Sequence, residues 1–483
     1  MNDQKPTSTV SRRSLMLGLG GFAAAGATAA AIGTVGLPRP ALANVQHAFA
    51  AKPGLAKLIA DDLPATKIWG YGGMTPGPEI RLAQGERLRV DFENGLPEET
   101  TVHWHGMRLP NAMDGVPGLT QAPVQPGEKF LYEFDVPDAG TFFYHPHVNT
   151  SAQLGRGLYG PLIIEEPNPP VVDRDVVWML DDWRLENDFQ IAGGFGNLMD
   201  MSHGGRIGNW ASINGEPYET FPVQAGERVR LRIINAANAR VFGLEFQDHA
   251  PQVIAYDGQP VAPHPLPGGR LVLGPAMRAD LILDMTGAPG QQFAVRDTYY
   301  KGNEFKLLDL VYGPNVVREQ LLDSSIRLAA NPIPDPNMAG AGRHRMVLGG
   351  GMMGTMAGAV LDGQSFDMVQ LADFGKAWAV NGVVAGSDSL APVISAHLGE
   401  TVAITMHNDT AFEHPMHLHG YAFRVFNRDG NKPTLGEWRD TILVDPAETV
   451  EIAFVADNPG NWLFHCHTLE HAAGGLLAVV RVT

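Results

Sequence analysis

One ten-residue pattern occurs three times along this chain. Gly85-Glu86 opens Arg87-Leu88-Arg89-Val90-Asp91-Phe92-Glu93-Asn94, and Gly226-Glu227 opens Arg228-Val229-Arg230-Leu231-Arg232-Ile233-Ile234-Asn235. Gly399-Glu400 opens Thr401-Val402-Ala403-Ile404-Thr405-Met406-His407-Asn408. Each copy is a turn dipeptide, an alternating run and a closing Asn. Alternation of period two marks a strand with one buried face, and recurrence marks a chain of like units. A length of 483 residues accommodates three such units, at ~150 residues each. Fifty-six glycines, 36 prolines and many short runs containing Val, Ile and Thr favour β-structure with frequent turns. The expected fold is all-β, three Greek-key β-sandwiches with limits near 50–167, 168–325 and 340–483. Glu165-Glu166-Pro167-Asn168-Pro169-Pro170 and Asn331-Pro332-Ile333-Pro334-Asp335-Pro336 serve as linkers.

The repeat also aligns histidines. His103 and His105 lie 18 and 20 residues after Gly85, and His417 and His419 lie 18 and 20 after Gly399. The same offsets from Gly226 reach Leu244 and Phe246, so the middle copy has apolar residues there. A second register agrees: His145 and His147 follow Pro126 by 19 and 21 residues, as His465 and His467 follow Pro446. The first and third units therefore contribute equivalent strand pairs to one shared site.

Cys466 is the chain's one cysteine, set in His465-Cys466-His467-Thr468-Leu469-Glu470-His471. A lone buried Cys is ordinarily a small hydrophobe, but this one has three close His neighbours. Together with His103-Trp104-His105, His145-Pro146-His147 and His414-Pro415-Met416-His417-Leu418-His419, the segment accounts for ten of 17 histidines. A thiolate with two imidazoles suits copper. In a strand Cys466 points to one face and His465 and His467 to the other, which makes a short covalent path between two metal sites.

Four histidine segments in this order, the last being H-C-H-x₃-H, resemble the multicopper oxidases, the family of laccases, ascorbate oxidases and bacterial cuprous oxidases. The resemblance covers the motifs from Val102 to His471 and implies cupredoxin-like sandwiches, the outer two carrying the ligands. It implies four copper ions. Type 1 copper would take His414, Cys466 and His471; type 2 would take His103 and His417; the type 3 pair would take His105, His145, His147, His419, His465 and His467. The axial type 1 position falls on Leu476, which cannot ligate, so a comparatively high reduction potential is expected. Asp114, in Met113-Asp114-Gly115, matches an acidic proton relay of the family, although Asp-Gly is also an ordinary turn pair. The second relay position holds Ala472.

The implied activity is oxidation of phenols or aromatic amines coupled to reduction of O₂ to water, with the electron received at the exposed edge of His414 or His471. Asp409 and Glu413 are candidates to line that edge, or are solvated loop residues. The alternative is a periplasmic cuprous oxidase for copper tolerance. Gly351-Met352-Met353-Gly354-Thr355-Met356 and Met199-Asp200-Met201-Ser202-His203 offer the thioethers Cu(I) prefers, though such Met more often fill gaps. A non-enzymatic cell-envelope protein of the same fold would be expected to lack ligands, and none is missing. Three repeats with H-C-H disfavour a two-domain nitrite reductase.

A net charge of −17 argues against nucleic acid and anionic membranes as partners. One cysteine excludes an internal disulfide framework. Residues 1–43 read as a twin-arginine signal peptide: Ser11-Arg12-Arg13-Ser14-Leu15-Met16 precedes a charge-free Ala/Gly-rich stretch, and Ala41-Leu42-Ala43 is a small-residue cleavage site. Ala48-Phe49-Ala50 is a second such site, and an uncleaved anchor the competing reading. The expectation is a periplasmic or secreted monomer carried by the twin-arginine export machinery.

Overall fold

The computed structural model describes residues 44–483 apart from 218, 387–390 and 434; the signal segment lies outside the described residues. The chain folds into three two-sheet sandwiches built from short strands.

The three repeats occupy the same place in their sheets. Arg87–Asn94 runs parallel to Asn44–Ala56 and antiparallel to Lys129–Asp135. Arg228–Asn235 runs parallel to Arg174–Trp183 and antiparallel to Arg278–Asp284. Thr401–Asp409 runs parallel to Gly342–Gly350 and antiparallel to Thr449–Val455. The glycine, the glutamate and the asparagine of the motif each have a structural task. Gly85, Gly226 and Gly399 take φ of 86°, 76° and 85°, a region open to glycine at little cost. The carboxylates of Glu86, Glu227 and Glu400 accept the N–H of the residue three before, from Ala83, Gln224 and His397. The closing Asn94, Asn235 and Asn408 are fully buried. Each accepts a backbone N–H two residues on and donates to one carbonyl of the loop that follows, of Glu98, Arg240 or Phe412, and to one more distant carbonyl, of Val124, Leu273 or Val444. The Asn thus ties the strand's exit to the opposite sheet, and no aliphatic residue can satisfy those groups.

The opposing sheets hold the histidine strands. In the first sandwich the order is Ile80–Ala83, Gly160–Glu165, Gly140–His145, His103–His105. In the third it is Pro392–Ala396, Leu477–Val482, Gly460–Cys466, His414–Leu418, Thr441–Val444. In the middle one, Phe242–Phe246 takes the equivalent position, and Leu244 and Phe246 sit in that sandwich's core. A continuous apolar cluster runs from the first sandwich into the third, while the middle one has a separate cluster. Asn331 lies across the first two sandwiches. Its side chain exchanges two hydrogen bonds with the backbone of Ala139 and donates to Gln259. Among the described residues no helix is long and apolar enough to cross a membrane.

Asn235→Ala leaves two carbonyls and one N–H without partners in the sandwich that holds no histidine cluster. We expect a stability loss on the order of 3 kcal/mol, read as a calorimetric midpoint several degrees lower. A midpoint within a degree of the parent's would show that the closing Asn is dispensable.

Candidate metal centre

The strand pairs predicted to be equivalent are paired in the same register. His103 stands opposite His145 in the first sandwich, and His417 opposite His465 in the third. Within His103–His105 the side chains alternate. Trp104 points into the core, 5.5 Å from Tyr132 and 5.4 Å from Phe134 between ring centres, while His103 and His105 meet the third sandwich. There His103 stacks on His419 at 3.9 Å and His105 on His417 at 3.6 Å. The second histidines of three segments lie just past their strands. Each is placed by a backbone N–H: His147 to Thr101 Oγ1, His419 to the Leu463 carbonyl, His467 to the Pro415 carbonyl.

Eight imidazoles thus face one another across the interface, and their ring nitrogens divide into two sets. Four outward nitrogens are bonded to two aspartates: His103 Nδ1 to the Asp114 carbonyl at 2.8 Å, His417 Nδ1 to the Asp440 carbonyl at 2.9 Å. His419 Nδ1 bonds the Asp114 carboxylate at 2.9 Å, and His105 Nε2 lies 3.2 Å from the Asp440 carboxylate. A carbonyl only accepts, so His103 and His417 carry their proton outward and turn a lone pair inward. The inward His103 Nε2, His105 Nδ1, His147 Nε2 and His417 Nε2 are buried without a partner. Across the interface His419 Nε2 and His465 Nε2 are 3.1 Å apart, and His145 Nε2 and His467 Nε2 3.4 Å. Burial, and after it the neighbouring imidazoles, holds His105, His145, His147, His419 and His467 well below their ordinary pKa, and His465 down to about 3. Buried, uncharged imidazoles with converging unpartnered lone pairs are a metal-ion donor set. Triads drawn from His103, His105, His145, His147, His417, His419 and His465 keep their donor atoms within 4.8 Å of one another.

Cys466 lies on the other face of its strand, as alternation required. Its Sγ is 3.5 Å from His414 Nδ1 and 3.7 Å from His471 Nδ1, and those two nitrogens are 3.1 Å apart. The far nitrogens are again bonded outward, His414 Nε2 to Thr410 Oγ1 at 2.8 Å and His471 Nε2 to the His203 carbonyl at 2.5 Å. Burial pushes the Cys466 thiol up to about 12 and His471 down to about 4, so a bound cation must displace the thiol proton. A thiolate with two imidazoles fits copper. Leu476 is fully buried in the same cluster as Cys466, and its carbonyl accepts the Cys466 N–H.

Two features correct the sequence reading. His414 and His471 have no exposed edge; they are 0% and 1% exposed. Trp378 packs against both rings, at 5.0 Å and 4.3 Å, and the segment Leu198–His203 closes over His471. Glu413 is half-buried beside Tyr299 and Tyr300, whose acidity it lowers, whereas Asp409 is exposed and accepts the Thr355 hydroxyl. The sequence reading also missed Asp440. It is the structural counterpart of Asp114: each offers its carbonyl to the first histidine of one H-x-H pair and its carboxylate to the second histidine of the opposite pair. Burial disfavours the Asp440 carboxylate, but Arg278 more than offsets this and holds it below the usual range. The only sequence signal would have been an Asp next to Thr441 in a third-sandwich strand, which is too common to single out.

The depressed imidazoles make the copper-free protein acid-sensitive. The unfolded chain binds these protons first, so their contribution is complete above pH 6.5 and is lost as pH falls toward about 4 for His471 and about 3 for His465. The thermal midpoint of copper-free protein should fall steadily between pH 6.5 and 4. A flat profile would show that these groups are solvated and already titrate normally.

Comparison with known proteins agrees with this geometry. Family models described as multicopper oxidase match residues 56–169, 174–319 and 363–483. Multicopper oxidase MmcO of Mycobacterium tuberculosis is 30% identical over 86% of this chain and 82% of its own length. A multi-copper oxidase from Pseudomonas thermotolerans superposes with a TM-score of 0.80 at 32% identity, covering 92% of this chain and 100% of that one. Lac15 from a marine microbial metagenome does so with a TM-score of 0.71 at 37% identity, covering 90% and 99%. With cupredoxin-like sandwiches, a Cys–His₂ cluster and eight convergent imidazoles, this chain belongs to the multicopper oxidase family, the copper-dependent oxidoreductases that use O₂.

Proposed function

We propose that this chain is a laccase-like oxidase that takes single electrons from phenols or aromatic amines and reduces O₂ to two waters. Four donors each lose one electron and one proton, and O₂ takes up four of each. His414, Cys466 and His471 would hold type 1 copper, His103 and His417 type 2, and His105, His145, His147, His419, His465 and His467 the type 3 pair. Copper, when bound, supplies the one-electron steps and the site of O₂ reduction. Cys466 and its neighbours His465 and His467 join the two sites through the backbone. Asp114, whose carboxylate bonds His419 Nδ1 and which among the described residues forms no ion pair with an arginine, would pass protons toward His419. Leu476 offers no sulfur, which supports a high type 1 potential; Leu476→Met should lower it in a redox titration, and an unchanged potential would mean that residue 476 does not reach the copper held by His414, Cys466 and His471. Arg12-Arg13 and Ala41-Leu42-Ala43 support export to the periplasm.

The observation that carries the phenol reading is the surface above His471. The Met352 N–H donates to the Ser202 carbonyl, and His203 in turn accepts from His471. The Gly351–Met356 loop and the Leu198–Ser202 helix therefore form one face over the type 1 ligands. Asp409, bonded to Thr355 of that loop, stands on this face as an acceptor for the phenolic proton. The same face favours a second reading, oxidation of Cu(I), because Met199, Met352 and Met353 are 66%, 54% and 78% exposed on it.

O₂ uptake by copper-loaded protein separates the two. The phenol reading expects turnover of 2,6-dimethoxyphenol without added Cu(II), and Asp409→Asn should slow it on the order of 10-fold while leaving ferrocyanide, which releases no proton, unaffected. Asp114→Asn should slow both donors. Phenol turnover that appears only with excess Cu(II), beside rapid Cu(I) oxidation, would transfer the assignment to a cuprous oxidase.

A further inference from the structure

The middle sandwich holds none of the ten histidines, yet one of its side chains reaches the trinuclear cluster. Arg278 opens the strand Arg278–Asp284 and is fully buried. Its Nη1 and Nη2 donate to Asp440 Oδ1 and Oδ2 at 2.7 and 2.5 Å, a two-pronged pairing that fixes the carboxylate plane. Its remaining donors are anchored to backbone, Nε to the Thr141 carbonyl of the first sandwich and Nη1 also to the Ala276 carbonyl. Asp440 belongs to the third sandwich and carries the orientation inward. Its Oδ1 faces His105 Nε2, its carbonyl accepts from His417 Nδ1, and Thr441 Oγ1 bridges Oδ1 and His105. One guanidinium therefore joins all three sandwiches within one residue of two stacked imidazoles.

Gly106 supports the same assignment independently. It follows His105 with φ of 84°, and a Cβ there would lie 2.4 Å from Asp440 Oδ2 and 2.5 Å from Arg278 Nη2. The turn that ends the first H-x-H strand leaves space for this ion pair and for nothing larger. The counterpart glycine after His419, Gly420, faces the indole of Trp462 instead. Asp114, the counterpart of Asp440, has ion pairs only with His103 and His419 and none with an arginine among the described residues. Two carboxylates in matching places are thus held differently, and the middle sandwich makes the difference.

We propose that Arg278 is a positioning residue for the copper site: through Asp440 it sets the ring orientation of His105 and His417, so that the copper-free middle sandwich determines copper binding between the other two. This rests on the copper-oxidase reading above and adds to it a role for the middle sandwich.

The test uses the full mature chain loaded with copper, with Arg278→Lys, Arg278→Gln and, as a control, Arg230→Gln. Arg230 is an equally buried arginine of the middle sandwich, paired with Glu166 and Asp280 and with no histidine contact. Copper affinity is measured by competition with chelators, the trinuclear site by electron paramagnetic resonance, and the Cys466 site by its thiolate–copper absorption. The expected result is binding at the trinuclear histidines weaker on the order of 10-fold and an altered type 2 signal in both Arg278 variants. Cys466 absorption stays at the parental value, and Arg230→Gln keeps both signatures. Arg278→Lys keeps the charge and loses the fork, so it reports on orientation even where Arg278→Gln fails to fold. Parental copper affinity and type 2 signal in folded Arg278→Lys would overturn the proposal, as would the same change in Arg230→Gln. A parent protein with no thiolate–copper absorption would instead refute the copper reading on which it rests.

Discussion

Eight uncharged imidazoles turn their lone pairs toward one another in a buried interface, and the rest of the molecule is arranged to permit this. Lone pairs without donors are unfavourable in a dry interior. Protons cannot simply be added, because burial and mutual repulsion lower the pKa of His105, His145, His147, His417, His419, His465 and His467. A cation that accepts the lone pairs removes the conflict, so the interface between the outer sandwiches is completed by metal rather than by packing. The backbone commits the tautomers beforehand. Carbonyls of Asp114 and Asp440 take the Nδ1 protons of His103 and His417, and the Thr410 hydroxyl and the His203 carbonyl take the Nε2 protons of His414 and His471. Outer hydrogen bonds of this kind fix which nitrogen faces the ion.

Holding two sandwiches in such register needs directional contacts, and buried charge supplies them. Arg230 and Arg232 pair with Glu166, Asp175 and Asp280, and Thr141 of the first sandwich donates to the same Asp280. Pairs of this kind add little net stability, since desolvation offsets their attraction. They do penalise every docking in which a charge loses its partner. Apolar contact alone would tolerate a shift of an ångström between sandwiches, whereas a metal site shared between them would not.

The parts of this arrangement that were legible in the sequence are those with local periodicity. The Gly-Glu…Asn repeat could be read because its turn glycine, its capping glutamate and its alternating strand are local, although the closing Asn also reaches a more distant carbonyl. The histidine pairs could be read because equal offsets from that repeat place them on equivalent strands, and Leu244 and Phe246 marked the sandwich without them. What escaped is what depends on tertiary approach. Asp440 lies 21 residues beyond His419 and Arg278 lies in another sandwich, so no spacing connects either to the site. Trp378 and the His203 carbonyl cover His414 and His471 from separate segments. The expectation of an exposed His edge failed because a motif specifies ligands and says nothing of what is packed outside them.

The two histidine clusters are therefore shielded from solvent by different means. At the eight-imidazole cluster the histidines are shielded by the apposition of two whole sandwiches, which leaves His147 as the partly exposed member. At the Cys466 end the shield is one short helix, a methionine loop and the Trp378 indole, whose Nε1 donates to the Met201 carbonyl. A thin cover built from side chains and a five-residue helix adds no strand to the sandwiches. On the proposed reading, reductant choice would be set by Leu198–His203 and Gly351–Met356, segments outside the strand framework. The chemistry at the deeper site is set by the repeat, which cannot vary without moving the histidines it carries.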